Sequence, residues 1–367
     1  MKSEHISLAI CSTGEIYGGV EQFIYIFSNY LKSETKVNFI VILFHKGLLY
    51  EKLKETNIET YLFPSYKYNF FLIRQIVKVL KERKINIVHT HGYKANILCS
   101  IAAKICNAKV IKTEHGKQEP SKGLGFFKMS LNLYLDILFT KYLADGIVFV
   151  SRDIQNFFNK TYSKSKQWVI YNGIAPIEVV GNKDTGIDSR YFNIGIIGRI
   201  SEVKGHIYLL KAIKRLEHIE NIRLYIFGEG PLRKVCEDYC NANGLSVKVF
   251  FMGFKKDIHV YIKELNLLVM PSLHEGLPYT LLEAMSLKVP VIVSEAGGLK
   301  EVIVNNYTGL LVPPQDAKAL AQSIEKIYRD FKLRELLTHN ALLEVSRNYS
   351  INVMVKKYLE MYYELMC

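Results

Sequence analysis

Two carboxylates lie eight positions apart in the stretch HEGLPYTLLEA, residues 274–284, with a proline between them. Because Pro278 suits the first turn of a helix, a helix is predicted to begin there and to run through Glu283. Glu275 would then lie in the loop at the positive end of this helix. Carboxylates accept hydrogen bonds from neutral hydroxyls, such as a ribose diol or a sugar ring, and are poor partners for phosphate. The alternative is that Glu275 caps the helix and that Glu283 is solvated.

Positive charge is supplied by the stretch GIIGRISEVKGH, residues 195–206. A strand is predicted to end at Gly198, which leaves Arg199 and Lys204 in the connecting loop. A guanidinium can bind two phosphate oxygens at once, whereas an ammonium acts as a point charge. The two cations could therefore neutralise a diphosphate leaving group, although exposed ion pairs would explain them equally well.

Paired glycines follow two other predicted strands. Gly297 and Gly298 open a helix in EAGGLKEVI, and Gly18 and Gly19 make a similar turn in STGEIYGGVEQF. Glycines allow a phosphate to approach the backbone closely, but a tight turn between a strand and a helix would also require them. The turn after the first strand lacks the Lys-Ser/Thr pair of a Walker loop, which disfavours ATP hydrolysis.

Three histidines end two predicted strands, in HTHG and TEHG. His89, His91 and His115 come from different strands without the spacing of metal ligands, so a metal site is disfavoured. His115 is the better functional candidate because it stands at the carboxyl end of a strand in a polar loop beside a glycine. It could donate to a substrate hydroxyl or polarise one, or it could be a structural histidine whose hydrogen bonds are satisfied.

Short β-branched runs alternate with helical patterns along the whole chain, six in each half. Apolar runs of this kind suit strands that are buried on both faces, and their alternation with helices is typical of parallel sheets. The predicted class is α/β, with two Rossmann-like, doubly wound domains facing a central cleft. The runs are ISLAI, VNFIVILF, INIVHT, VIKTEH, GIVFVS and WVIYNG, then NIGIIG, IRLYIFG, VFFMGF, LNLLVMPS, VPVIVS and GLLVP.

The polar stretch APIEVVGNKDTGIDSR, residues 175–190, is predicted to join the two domains, because it is rich in Gly and Asp and lacks helical periodicity. This places an N-terminal domain at 1–175 and a C-terminal domain at 190–349. The last segment, 350–367, is predicted to form a helix that packs back on the N-terminal domain.

The length, composition and charge of the chain limit the classes of protein to which it could belong. The chain has 367 residues, of which 49% are hydrophobic, as expected for a soluble protein of two domains. No secretory signal or membrane-spanning run is recognised, which predicts a cytoplasmic protein. The net charge is +13, and residues 1–175 hold 24 Lys and Arg against 13 Asp and Glu. A basic half suggests an anionic partner, which could be a membrane surface, a phosphorylated substrate or nucleic acid. The alternative is a soluble protein that simply has many surface lysines.

Two hydrophobic and basic stretches in the first half could lie on an anionic membrane or cover a sheet. YKYNFFLIRQIVKVLKERK places Phe70, Ile73, Val77 and Leu80 on one helical face, with lysines elsewhere. SKGLGFFKMSLNLYLDILFTKYLADG is apolar on most sides.

These motifs, in this order, resemble the retaining glycosyltransferases of family 4, which have the GT-B fold. The resemblance covers nearly the whole chain and is densest from Asn193 to Pro314. The family's pair of glutamates matches Glu275 and Glu283, and FGEGP, FFMGF and YNGI match further segments. The motifs are specific for the family and carry little information on the substrate.

The resemblance implies a role for each candidate. Glu283 would bind the ribose hydroxyls of a nucleotide sugar, and Glu275 would bind the hydroxyls of the transferred sugar. His115 matches the family's active-site histidine, so that His115 and Glu275 are the implied catalytic residues. Arg199 and Lys204 would hold the diphosphate, which the backbone N–H groups near Gly19 would approach across the cleft. The donor-binding set that it implies is Gly18, Gly19, Arg199, Lys204, Gly276, Leu277 and Glu283.

The family needs no divalent metal and no cofactor beyond the nucleotide sugar, because cations and helix ends stabilise the leaving group. The resemblance also implies a first domain for the acceptor, a second for the donor, and retention by a front-face route. One departure is the family's AMAxGxP segment, in which Lys288 replaces the glycine.

The function expected is a cytoplasmic, metal-independent glycosyltransferase that moves a hexose or N-acetylhexosamine to a glycan acceptor. The basic first half favours a lipid-linked acceptor at the inner face of the membrane, as in the synthesis of capsule or lipopolysaccharide. Nucleotide-sugar epimerisation or a phosphorylase reaction would suit the same fold. A nucleic-acid-binding module would use the basic half, but the aromatic and basic residues are not interleaved as in single-strand binders, so no nucleic-acid partner is expected.

Overall fold

The computed structural model describes residues 5–15, 17–33, 37–64, 71–117, 125–179 and 184–367. These residues form two compact units. The first comprises the described residues up to Gly173 together with Ile351–Cys367, and the second comprises those of Ile174–Ser350.

The first unit is built on a parallel sheet in which seven strands are described, in the order β3-β2-β1-β4-β5-β6-β7. All seven residues of β1 are buried, because helices cover both faces of a doubly wound sheet. The strands are β1 (Ile6–Ser12), β2 (Val37–Leu43), β3 (Thr60–Leu62), β4 (Ile87–His91), β5 (Lys109–Glu114), β6 (Gly146–Phe149) and β7 (Lys166–Val169).

Helices connect these strands and cover the sheet. They are α1 (Gly19–Ser33), α2 (Leu48–Glu55), α3 (Phe71–Glu82), α4 (Tyr93–Ile105), α5 (Gly125–Leu143) and α6 (Arg152–Phe158). Helix α3 packs on the sheet through Leu72, Ile76, Val79 and Leu80, with Ile73 and Val77 partly buried beside them. The buried face is therefore rotated from the predicted one. Phe70, which the sequence places on the predicted face, lies outside the described residues.

The second unit repeats the arrangement with a parallel sheet of six described strands, in the order β10-β9-β8-β11-β12-β13. The strands are β8 (Phe192–Ile197), β9 (Ile222–Phe227), β10 (Val249–Gly253), β11 (Leu267–Met270), β12 (Val291–Ser294) and β13 (Leu310–Val312). The helices are α7 (His206–Arg215), α8 (Arg233–Ala242), α9 (Ile258–Ile262), α10 (Tyr279–Ser286), α11 (Leu299–Val302), α12 (Ala317–Arg329) and α13 (Phe331–Asn348), and a short 3-10 helix spans Glu202–Lys204.

The predicted class, two doubly wound parallel sheets, is confirmed, and each of the predicted runs overlaps an observed strand. The one described strand that the sequence does not predict is β3, which has only three residues, all of them half-buried. A segment this short has too few residues to show a period of two.

The last helix, α14 (Ile351–Met366), belongs to the first unit. Its buried side chains recur at the spacing of one helical face and include Tyr358 and Tyr362. Tyr358 packs against Phe23 and Phe27 of α1, with ring centroids 5.5 and 5.1 Å apart. A fully buried large side chain stabilises a fold by about 1.5–3 kcal/mol, so this helix completes the core of the first unit.

No helix among the described residues combines the length and the apolar character that crossing a membrane would require. Helix α5 nevertheless carries exposed apolar side chains, Leu131, Tyr134 and Tyr142.

A buried ionic network lies beneath the end of β5. The Nζ of Lys112 is 2.6 Å from Glu114 Oε1 and 2.5 Å from Asp136 Oδ2, and its side chain is 1% exposed. The second carboxylate oxygen of Asp136 accepts a hydrogen bond from Asn96 Nδ2 at 2.8 Å. Although burial lowers the pKa of Lys112, its two carboxylate neighbours outweigh that effect and the pKa is raised. The ammonium is therefore charged, and it compensates carboxylates that would otherwise be buried without a cation.

Replacement of Lys112 by methionine is expected to destabilise the first unit by about 3–5 kcal/mol, because it leaves two carboxylates buried without their cation. Urea denaturation followed by circular dichroism would measure the loss. Lys78→Met is the matched control, since Lys78 is exposed and 3.8 Å from Glu82. The control should change stability by no more than about 1 kcal/mol. Equal losses in the two variants would show that the network contributes no special stability.

Candidate functional site

The two glutamates singled out in the sequence follow β11 at the carboxyl edge of the second sheet. The strand ends at Met270, two residues earlier than Ser272, and α10 begins at Tyr279 with Pro278 just before it. Pro278 is therefore the last residue before the helix, where its missing N–H breaks no helical bond. Glu275 lies in the loop, as the proline predicted, and Glu283 lies within the helix.

Glu275 forms an ion pair with Lys204, one of the two predicted cations. The Nζ of Lys204 is 2.6 Å from Glu275 Oε1, and the side chains are 24% and 9% exposed. The hydroxyl of Ser272 donates to the same oxygen at 2.8 Å. Lys204 is the last residue of the 3-10 helix that follows β8. Its side chain passes close to Gly198, because a Cβ on that glycine would lie 3.5 Å from Lys204 Cε. Two neighbouring strands of one sheet thus bring the acid and the cation together.

Glu283 is buried and bonded to a residue that the sequence did not reveal. His259 Nε2 is 2.9 Å from Glu283 Oε1, and the glutamate side chain is only 2% exposed whereas the imidazole is 39% exposed. Glu283 is therefore not solvated, and the alternative that assigned it to the solvent is wrong. His259 lies on α9, the helix that follows β10. No motif surrounds His259. The only sign in the sequence that it could belong to the site is its position shortly after a predicted strand.

The glycines after β12 support the Glu275 loop. Gly297 has a φ of +55°, and a Cβ on it would lie 2.0 Å from the carbonyl oxygen of Glu275. The N–H of Gly298 donates to that same carbonyl at 3.1 Å. Of the two predicted uses of this glycine pair, the tight turn with backbone packing is the one that the geometry accounts for.

The remaining donor-site candidates of the second unit differ in exposure. Gly276 and Leu277 are buried between the two glutamates. Arg199 is exposed, and among the described residues none forms an ion pair with its guanidinium. Lys288, which replaces the family's glycine, has a φ of +59° just after α10. The turn is therefore kept, and the lysine adopts the left-handed conformation at a cost of about 1–2 kcal/mol.

In the first unit, α1 begins at Gly19, directly after the turn that follows β1. The N–H of Gly18 donates to Glu21 Oε2 at 3.1 Å, so this donor is bonded to the carboxylate of its own helix. Burial raises the pKa of Glu21. A Cβ on Gly19 would meet nothing within 4 Å. The space beside Gly19 is open, while the Gly18 N–H already has an acceptor.

The three histidines lie together at the carboxyl ends of β4 and β5. The nitrogens His91 Nδ1 and His115 Nε2 are 2.8 Å apart. His89 bonds through Nδ1 to the Tyr362 hydroxyl and through Nε2 to Thr113 Oγ1, each at 2.7 Å. Parallel pairing of His91 with Thr113 puts the three rings side by side.

The histidines are neutral at pH 7. Burial, then the neighbouring His115, lowers the pKa of His89 to about 3. Burial, then the charge of Lys112, lowers the pKa of His115 to about 3. The described residues contain no group of three or more His, Cys, Asp or Glu side chains placed to hold a metal ion. The cluster is suited to hydrogen bonding with a substrate oxygen.

Comparison with known proteins identifies relatives of both units. Residues 17–177 match the family model described as Glycosyltransferase Family 4, and residues 182–343 match the model described as Glycosyl transferases group 1.

Individual relatives are similar along most of the chain. The UDP-Gal:alpha-D-GlcNAc-diphosphoundecaprenol alpha-1,3-galactosyltransferase of Escherichia coli is 26% identical over 85% of this chain and 85% of its own. The GalNAc-alpha-(1->4)-GalNAc-alpha-(1->3)-diNAcBac-PP-undecaprenol alpha-1,4-N-acetyl-D-galactosaminyltransferase of Campylobacter jejuni is 28% identical over 88% of this chain and 89% of its own.

Solved structures share the fold. A glycosyltransferase of Rickettsia africae superimposes with a TM-score of 0.82 and 24% identity, over 99% of each chain. An Anabaena protein in complex with UDP and glucose superimposes with a TM-score of 0.84 and 19% identity, over 98% of this chain and 100% of its own.

Replacement of Gly297 by alanine is expected to lower the free energy of unfolding by about 3 kcal/mol, because it combines an unfavourable positive φ with a clash against the Glu275 backbone. Gly244→Ala is the matched control, since Gly244 has a φ of +68° and open space where its Cβ would lie. The control should lose only about 1 kcal/mol. Urea denaturation measures both variants, and equal losses would mean that the Glu275 contact carries no part of the effect.

Proposed function

The chain belongs to family 4 of the glycosyltransferases, and from this premise we propose that it transfers a hexose or an N-acetylhexosamine from a nucleotide-diphosphate sugar to a glycan acceptor, with retention of configuration. The observation that carries the proposal is the pair of fixed acids at one edge of the second sheet. Glu275 is held by Lys204, and Glu283 by His259.

Each acid is suited to bind hydroxyls of the donor. Glu283 is assigned to the ribose diol, because a buried carboxylate already bonded to an imidazole can accept further hydrogen bonds. Glu275 is assigned to the transferred sugar, with one oxygen bonded to Lys204 and Ser272. Gly276 and Leu277 would line the donor site between them. The Anabaena neighbour, which was solved with UDP and glucose, supports a nucleotide sugar as the donor class.

The diphosphate would be held by cations. The ammonium of Lys204 has three N–H groups and gives one of them to Glu275, so it can donate to a phosphate oxygen while remaining fixed. The guanidinium of Arg199 has no ion-pair partner among the described residues, so it can donate to two phosphate oxygens at once. The backbone N–H of Gly19, which has open space beside it, is assigned to the same diphosphate, whereas the N–H of Gly18 is already bonded to Glu21. These positive charges would stabilise the negative charge of the leaving diphosphate, as a metal ion does in other enzymes, and no cofactor is proposed.

The reaction breaks the bond between the anomeric carbon and the phosphate oxygen, and the nucleoside diphosphate leaves with the electron pair. The acceptor oxygen attacks from the same face, and its proton passes to the departing phosphate. His115 contacts a hydroxyl of the transferred sugar in this scheme. Analysis of the product by NMR would test the route, and an inverted anomeric configuration would refute it.

The acceptor proposed is a lipid-linked glycan of surface polysaccharide synthesis, in the capsule or lipopolysaccharide class. The Escherichia coli and Campylobacter jejuni relatives are named for undecaprenol-linked acceptors, and a Staphylococcus aureus relative for capsular polysaccharide biosynthesis. Such an acceptor would place the protein in the cytoplasm, in peripheral contact with the inner face of the membrane. The basic first half and the exposed apolar side chains of α5 support this location.

Amide variants of the two acids test the donor site. Glu283→Gln is expected to weaken binding of the nucleoside diphosphate about tenfold, because the ribose loses charge-assisted hydrogen bonds. Glu275→Gln should mainly lower kcat, because the sugar and Lys204 lose their partner. Calorimetry and a mass-spectrometric screen of nucleotide sugars would measure the effects. The control is Glu335→Gln, an exposed side chain of α13. Full activity and donor affinity in both amide variants would overturn the proposed donor site.

Membrane contact is tested by flotation with liposomes. Vesicles of phosphatidylglycerol should bind the protein in a salt-sensitive way, and phosphatidylcholine vesicles should not. Tyr142→Ser, on the exposed face of α5, should weaken flotation. Phe331→Ser is the control, because Phe331 is exposed to a similar degree, 60% against 70%, in the second unit. Salt-independent flotation, or none, would contradict membrane contact.

A further inference from the structure

The bond between His91 and His115 is a feature that the proposed reaction does not explain. His91 is the last residue of β4 and is completely buried, and its Nδ1 lies 2.8 Å from His115 Nε2. His115 directly follows β5 and is half-buried. The ring of His115 is therefore available to a substrate, whereas the ring of His91 lies in the interior and contacts His115.

Both rings are neutral, so a single proton occupies the bond between them. Burial lowers the pKa of His91 well below its ordinary range, and the neighbouring His89 and His115 lower it further. His115 is likewise neutral at pH 7, as described above. A neutral imidazole carries one N–H and one bare nitrogen. The nitrogen that donates in this bond therefore fixes the tautomer of both rings.

Two arrangements satisfy the distance between the rings. In the first, His91 donates its Nδ1–H to His115, which leaves His91 Nε2 bare and puts the proton of His115 on Nδ1. In the second, His115 donates its Nε2–H to His91. His91 must then carry its proton on Nε2, and the Nδ1 of His115 is bare.

The surroundings of His91 Nε2 distinguish the two arrangements. This atom is buried and has no hydrogen-bond partner among the described residues. The His91 ring packs against Phe23 and His89, with centroids 5.0 and 4.3 Å away. His89 offers no free nitrogen, because Tyr362 and Thr113 occupy both. The second arrangement would therefore bury an N–H without an acceptor, whereas the first leaves only a bare acceptor nitrogen. On the main chain, a buried donor without an acceptor is rarer than a buried acceptor without a donor, and the same preference favours the first arrangement here.

We propose that His91 is a positioning residue that donates its Nδ1–H to His115 and thereby holds His115 as the tautomer with its proton on Nδ1. The consequence for catalysis rests on the proposed function. His115 offers an N–H to a sugar or phosphate oxygen, and it does not serve as the base that takes the proton of the acceptor hydroxyl. That proton is left to the departing phosphate.

The tautomer can be observed directly in the full-length protein. Long-range ¹H–¹⁵N correlation spectra of protein labelled in its histidine side chains distinguish an Nδ1–H imidazole from an Nε2–H imidazole, and His115→Asn assigns the signal. The expected result is Nδ1–H on both His91 and His115 at pH 7. An Nε2–H tautomer of His115 would overturn the proposal. The spectrum is informative whether or not a sugar is transferred, and failure of the proposed function would appear separately, as wild-type protein without turnover on any donor.

Two variants of His91 separate positioning from packing. His91→Phe fills the space without an N–H, so the His115 signal should change to the other tautomer or to a mixture. The kcat should then fall about tenfold, the value of one lost hydrogen bond, with the donor KM unchanged. His91→Asn keeps an amide N–H near the position of Nδ1 and should retain the tautomer and most of kcat. An unchanged tautomer in a folded His91→Phe protein would contradict the proposal, and if that variant does not fold, the wild-type and His91→Asn spectra decide it.

Discussion

Parallel pairing of strands is the constraint on which every candidate site depends. In a parallel sheet the carboxyl ends of all strands lie along one edge, so residues far apart in the sequence become neighbours there. Lys204 reaches Glu275 because β8 and β11 are adjacent, and His91 reaches His115 because β4 and β5 are. The chemistry therefore comes from loops, but the order of strands decides which loops meet.

The two units use charge in opposite ways at these edges. The second unit leaves the lysine of an ion pair partly exposed, so that its remaining N–H groups can still bind an anion. The first unit buries a lysine between two carboxylates and places uncharged imidazoles beyond it. A charge close to these rings favours their neutral form, which suits directional hydrogen bonding better than attraction of ions. In the proposed reaction, the cation of the ion pair would suit the diphosphate and the neutral imidazoles would suit a sugar hydroxyl.

Much of this arrangement could be predicted from the sequence. Long apolar runs revealed almost every strand, and Pro278 located the start of α10 and placed Glu275 in its loop. The bond between Glu283 and His259 could not be predicted, since it depends on how α9 packs against α10 and no local pattern records that packing. The partners of Lys112 were hidden for the same reason, because Asp136 is distant in sequence. At Lys288, which replaces the family's glycine, the backbone keeps the left-handed conformation that glycine would prefer, and the replacement alone did not predict this.

Helix α14 follows the second unit in the chain but belongs to the first. On the ribosome, the whole second unit must therefore emerge before Tyr358 and Tyr362 can take their places beside α1 and His89. The first unit, although synthesised first, keeps part of its interior uncovered until α14 has followed the second unit out of the ribosome, contrary to the usual order in which domains fold one after another. The nascent first unit would thus be exposed to chaperones and to proteases throughout the synthesis of the second unit.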